Sequence, residues 1–155
     1  NGTIFLDEIG DMSLSAQAKV LRALESNSIQ KVGAQKDIKI NVRVVAATNK
    51  NLKDEITKGN FREDLYHRLA VILIKVPSLN SRAEDIPLLV DYFSDKISKS
   101  QGITNKPFTK DAISLLKSYD WSGNIRGLRN VVERLIILGD ETQITEKNIK
   151  EYSNK

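Results

Sequence analysis

The sequence predicts an α/β unit followed by a small all-helical unit, and three observations carry that reading. Apolar, β-branched runs at Thr3 to Leu6, Val42 to Ala47 and Val71 to Val76 have the near-continuous hydrophobic character of strands buried on both faces. Segments with helical periodicity lie between them. After Pro77 no further convincing strand follows, whereas four helical segments do. The division therefore falls between residues 1–77 and 78–155.

The elements follow in order. Ser13 to Leu24 places Leu14, Ala18 and Leu21, with Ala16, Val20 and Leu24, on one broad apolar face, so a helix follows the first strand. The stretch "SIQKVGAQKDIKINVRV" holds two short alternating runs around Gly33 to Asp37, the pattern of a β-hairpin projecting from the sheet. Asn51 suits the cap of a helix with Asp54 and Glu55 favourable in its first turn. The polar connection "SLNSRAED" opens the second unit. Its helices read as Glu84 to Ser100 stopped by Gly102, Thr109 to Tyr119 capped by Thr109, Asn124 to Leu138 stopped by Gly139, and a short one capped by Thr145.

Composition narrows the function classes. At 155 residues the chain buries a real core. It has no cysteine, which excludes a disulfide framework and a thiolate metal site and suits a cytoplasmic protein. No apolar run reaches the roughly 20 residues that cross a bilayer, so no membrane partner is expected. The net charge of +4 comes from acids and bases mixed along the whole length rather than from a basic arm. The chain opens on Asn1, and its first strand has no earlier partner, so it reads as part of something longer.

The chemistry-bearing residues cluster at the ends of the strands. "TIFLDEIGD" ends an apolar strand in two acids, Asp7 and Glu8, and in α/β folds ligands sit beyond the carboxyl ends of strands. In nucleoside triphosphatases the first of such a pair helps hold Mg²⁺ and a neighbouring carboxylate polarises water; the pair also fits solvated acids at a surface turn. "VRVVAATNKNL" brings Thr48 and Asn49 to a second strand tip, where a small polar pair can meet a γ-phosphate or the attacking water. "GNFREDLYHRLAV" carries Arg62 and Arg68, whose planar, permanently charged forks suit phosphate, although pairing with Glu63 and Asp64 is the plainer account. Their six-residue spacing sends them to different places. "YDWSGNIRGLRNVVERL" sets Arg126 in the first turn of a helix, beside the positive end of the dipole, a penalty that a bound polyphosphate would remove. Arg129 and Arg134 read as surface charge, Trp121 as core, and His67 receives no role.

Taken together, "GTIFLDEIGDMSLSAQAKVLRAL", "VRVVAATNKNL", "FREDLYHRL", "AEDIPLLV" and "YDWSGNIRGLRNVVER" make the chain resemble, to about Leu138, the AAA+ ATPase domain of the sigma-54-dependent transcriptional activators. These are the bacterial enhancer-binding proteins, NtrC-type response regulators among them. The resemblance implies a P-loop nucleoside triphosphatase sheet from the Walker B strand onward, then a helical lid. Its implied cofactors are ATP and Mg²⁺, with Asp7 as the Mg²⁺ ligand and Glu8 the activator of water. Thr48 and Asn49 match sensor I, Arg62 and Arg68 the arginine-finger region that reaches a neighbouring subunit, and Arg126 sensor II. The hairpin around Lys31 to Lys39 matches the second pore-facing loop. Implied partners are the sigma-54 RNA polymerase holoenzyme, further copies in a homo-oligomeric ring, usually a hexamer, and DNA through a domain outside this chain.

The sequence departs from the family at several points. Ser122 and Gly127 stand where the family's lid motif has Pro and Glu, and Gly127 costs a helix roughly 1 kcal/mol relative to alanine. No Gly-rich Lys-Ser/Thr phosphate loop occurs in these residues, nor the family's GAFTGA loop, so the chain is expected to be a C-terminal part of the domain, inactive alone. Two other readings stay open: another AAA+ machine of the clamp-loader or chelatase type, and a non-catalytic interaction module.

Overall fold

The computed structural model describes residues 2–31, 33, 36–139 and 142–153. The chain forms two compact units, residues 1–74 and 75–155.

In the first unit, strand β1 (Gly2–Leu6) leads through a short turn, Ile9–Asp11, into helix α1 (Leu14–Ser26). Ser13 caps α1, its hydroxyl accepting the Ala16 amide at 3.3 Å, and Asn27 ends it in the left-handed region. Strands β2 (Ser28–Gln30) and β3 (Asp37–Lys39) pair antiparallel as the expected hairpin. Val32, Ala34 and Gln35 at its tip lie outside the described residues. Strand β4 (Val42–Ala46) then returns parallel to β1, with Leu6 opposite Ala46. Helices α2 (Leu52–Thr57) and α3 (Glu63–Leu69) complete the unit, α2 capped by Asn51 as its sequence indicates. Ile9, Leu21, Phe61 and Leu65 form its buried apolar centre.

The expected third strand, Val71 to Val76, is not one: the segment is not paired with any described strand, and Val71, Ile72, Leu73, Ile74 and Val76 stand 73–84% exposed. An apolar run becomes a strand only when a neighbour supplies its hydrogen-bond ladder. Leu14 is also exposed rather than part of the packed helix face, and the buried position on α1 beside Leu21 belongs to Gln17.

In the second unit a 3₁₀ segment, Leu79–Asp85, precedes helix α4 (Ile86–Gln101). The helix begins later than Glu84 because Pro87, which has no N–H to donate, belongs in a first turn. Gly102 closes α4 in the left-handed conformation (φ 66°). Helices α5 (Lys110–Ser118), α6 (Asn124–Leu138) and α7 (Glu146–Tyr152) follow, with Thr109 and Thr145 as caps. Lys106 donates its ammonium to the terminal carbonyls of Ile136 and Gly139, where a cation offsets the helix dipole. Val90, Phe93, Leu116, Leu128, Val132, Leu135, Ile136 and Ile149 are among the residues of a contiguous apolar core. Trp121 lies in it, its indole N–H donating to the Leu116 carbonyl at 2.9 Å, as its sequence context indicates. Among the described residues no helix is long and apolar enough to cross a membrane.

Candidate functional site

Asp7 and Glu8 leave the carboxyl end of β1 exposed to solvent. Glu8 adopts the left-handed region (φ 49°, ψ 44°), which costs a non-glycine residue roughly 1–2 kcal/mol. The turn this creates sends Ile9 and Gly10 back into the interior. The Asp7 carboxylate accepts the Glu8 amide at 3.0 Å through one oxygen, and Ile9 donates to the Ala47 carbonyl at 3.0 Å. With Ala47 N–H donating to Leu6 at 2.9 Å, the tips of β1 and β4 are stitched together.

That stitching sets Thr48 and Asn49 beside the acid pair. A Cβ on Gly10 would lie 2.6 Å from the Thr48 hydroxyl oxygen, so any residue other than glycine would have to displace that side chain where the two loops meet. The Thr48 hydroxyl also accepts the Lys50 amide at 3.1 Å, fixing this tip as a local turn. Asn49 is exposed. Next to it Lys50 reaches back to the Asp11 carboxylate at 2.5 Å and the Gly10 carbonyl at 3.3 Å, and hydrogen bonding to Asp11 raises its pKa. A shallow cleft of about 280 Å³ opens alongside, lined by Gly10, Asp11, Ser13, Lys50, Glu55 and Asn60 among others.

Arg62 is the residue before α3, its guanidinium paired with Asp64 through Nε at 3.0 Å and Nη2 at 2.6 Å. The pair is exposed; its hydrogen bonds raise the Arg62 pKa and lower that of Asp64. Arg68 points elsewhere, donating to the Leu24 carbonyl near the end of α1 at 3.0 Å. The two arginines thus reach different places, as their spacing requires.

The residue that sequence reasoning missed is Gln17. It is fully buried, donating to the carbonyls of Met12 (2.8 Å) and Asn60 (3.0 Å) and accepting the Arg62 amide (2.9 Å). A polar side chain on the stripe between Leu14, Leu21 and Leu24 was the available signal. Gly10 and the Lys50 to Asp11 pair were also missed, since each depends on where β4 returns.

In the second unit Arg126 stands exposed in the first turn of α6. Its entry is held by Asn124, in the left-handed region (φ 49°), whose side-chain oxygen accepts the Leu79 amide at 2.8 Å. Asn80 accepts the Trp121 amide at 2.8 Å. Gly127 has room for a methyl group, which would meet only Trp121 Cε3 at 3.8 Å. Arg129 lies 3.8 Å from Glu133 and Arg134 donates to the Tyr152 carbonyl at 3.0 Å. Among the described residues no group of three or more His, Cys, Asp or Glu side chains converges as a metal cage.

Residues 1–75 match the model of the sigma-54 interaction domain, and residues 80–155 that of an AAA+ ATPase lid domain. The chain is 49% identical to the nitrogen assimilation regulatory protein NtrX of Azorhizobium caulinodans, over 88% of this chain and 30% of that protein. It is 51% identical to the anaerobic nitric oxide reductase transcription regulator NorR of Aliivibrio fischeri, over 89% of this chain and 27% of that one. Among solved structures, NtrX of Brucella abortus in complex with ATP superposes with a TM-score of 0.88 at 42% identity, covering 94% of this chain and 34% of the other. The chain therefore spans about a third or less of the length of these relatives.

Proposed function

From the premise that this chain belongs to the sigma-54 interaction family of AAA+ ATPase domains, with that family's lid in its second half, we propose that it supplies part of the ATPase of a sigma-54-dependent transcriptional activator. The activator hydrolyses ATP in a homo-oligomeric ring, a hexamer by family resemblance, to remodel sigma-54 RNA polymerase in the cytoplasm, and binds DNA through a domain outside these residues. Residues 1–77 contribute nucleotide-binding elements and 78–155 the lid and linker.

The observation that carries this reading is the stitched pair of strand tips, Asp7 and Glu8 on β1 beside Thr48 and Asn49 on β4. Glu8 orients and polarises the attacking water, and Thr48 and Asn49 contact that water or the γ-phosphate. Asp7 fits a Mg²⁺ ligand: it is exposed, and one carboxylate oxygen is used by the Glu8 amide while the other faces no protein donor among the described residues. Mg²⁺ is held typically by one or two carboxylates together with phosphate oxygens and water, so a single acid suffices. When bound, the ion would neutralise charge on the phosphates. Arg62 or Arg68 acts on the nucleotide of the neighbouring subunit, Arg126 contacts nucleotide from the lid, and the hairpin of β2 and β3 faces the target. The similarity to an NtrX solved with ATP supports the choice of nucleotide. These 155 residues contain no phosphate loop, so by themselves they turn over ATP poorly.

ATP hydrolysis per subunit, measured against protein concentration for this chain and for a version carrying a phosphate-loop segment ahead of it, tests the proposal. Activity confined to the longer version and rising with concentration is expected. Inactivity of the longer version at every concentration, or unchanged promoter activation by a Glu8→Gln parent, would refute the catalytic reading.

A further inference from the structure

Gln17 presents an unusual expense for a fold. Its side chain is fully buried on the helix that supplies Leu21 to the apolar centre, where an apolar side chain of the same length would need no hydrogen-bond partners of its own. Both amide hydrogens and the amide oxygen are engaged, and every partner is a main-chain group. Those groups belong to two segments. Met12 ends the loop that leaves Asp7 and Glu8, while Asn60 and Arg62 bracket the turn that begins α3. The glutamine thus fixes the path of one backbone against the other, whichever side chains those segments carry.

The Arg62 guanidinium is held differently, by an exposed pair with Asp64 two residues on. Its side chain can leave that partner for a phosphate without disturbing the fold, whereas its backbone stays tied to the loop after the acid pair. We propose that Gln17 is a positioning residue that couples the segment following Asp7 and Glu8 to the backbone of Arg62, so that the state of a subunit's own nucleotide site governs the arginine it lends to its neighbour. This rests on the functional reading above, with Arg62 as the arginine that acts between subunits.

The test uses the full-length protein in mixed rings. Subunits carrying Glu8→Gln, with and without Gln17→Met, are mixed with unsubstituted subunits, and hydrolysis by the latter is followed. Gln17→Met keeps length and packing but removes all three hydrogen bonds. Subunits with both substitutions should lower their neighbours' kcat by about 100-fold, the scale of a misplacement near 1 Å, with KM little changed and binding of a fluorescent ATP analogue intact. Neighbours as active as with Glu8→Gln alone would overturn the proposal. Should Gln17→Met fail to fold, Gln17→Glu keeps the acceptor facing Arg62 and loses the donors; it is expected to give a partial loss, and full activity would again overturn the coupling. Subunits with Glu8→Gln and Arg62→Ala separate the two levels: if they leave neighbours fully active, the role of Arg62 fails, and this inference with it.

Discussion

The two units are stabilised by different physics. In the second, α4 to α7 close on a continuous apolar core, and polar ties such as Asn80 to Trp121 and Asn124 to Leu79 sit at its margin. In the first, among the described residues only Ile9, Leu21, Phe61 and Leu65 are buried and apolar, and the loops at the strand tips are set by Gln17, Lys50 and the Gly10 to Thr48 approach. Apolar burial is strong but non-directional, so it suits a scaffold. Hydrogen bonds define geometry, so they suit a site whose loops must hold acids and small polar groups at fixed separation.

Substitutions can break or sharpen this contrast. The largest effect is expected from Leu128→Ala in the lid core, where the side chain is fully buried; chemical denaturation should report a loss of about 2–5 kcal/mol. A much smaller loss would mean that the second unit is not organised around its core. Next comes Gly10→Ala, which forces a methyl group against Thr48 and the side chains of Leu52 and Lys50. A cost of about 1–3 kcal/mol is expected, with amide NMR shifts concentrated at Thr48 to Lys50. Shifts spread evenly over the chain would argue against a local constraint.

Gly127→Ala should act in the opposite direction. The new methyl group finds open space near Trp121, so the helix gains about 1 kcal/mol, visible as a rise in melting temperature. A fall would mean that α6 requires glycine at this point.

The smallest effect is electrostatic. The Arg62 hydrogen bonds hold Asp64 below the usual aspartate range, and hydrogen bonds from Asn60 and Lys58 lower Glu55. Groups with depressed pKa values contribute stability above their ordinary values of about 4 and lose it as pH falls through the folded values. Acidification below about pH 4 should therefore loosen Arg62, seen as a shift of its Nε–H signal, while neutral to mildly acidic pH leaves it unchanged. Because the Arg62–Asp64 pair is exposed, its part of the effect should also weaken with salt.

Much of the local structure was legible in the residues. Asn51, Thr109 and Thr145 announced the starts of helices, and Gly102 and Gly139 their ends, because capping depends on neighbours only a few positions away. The acid pair at the end of β1 was visible for the same reason: the strand and its terminal acids are contiguous in the chain. Val71 to Val76 was misread because a hydrophobic run states that burial is favourable without naming the partner. Gln17 was hidden because its three partners come from segments up to 45 positions away.

The sequence by itself determined the element types, the chemical character of the strand tips and the family resemblance. Tertiary structure alone decided that β4 returns beside β1, that Gly10 must make room for Thr48, and that one buried amide joins the acid loop to Arg62. Local rules act over a turn or two of chain, whereas a hydrogen bond between distant segments exists only once the fold has brought its donor and acceptor to within about 3 Å.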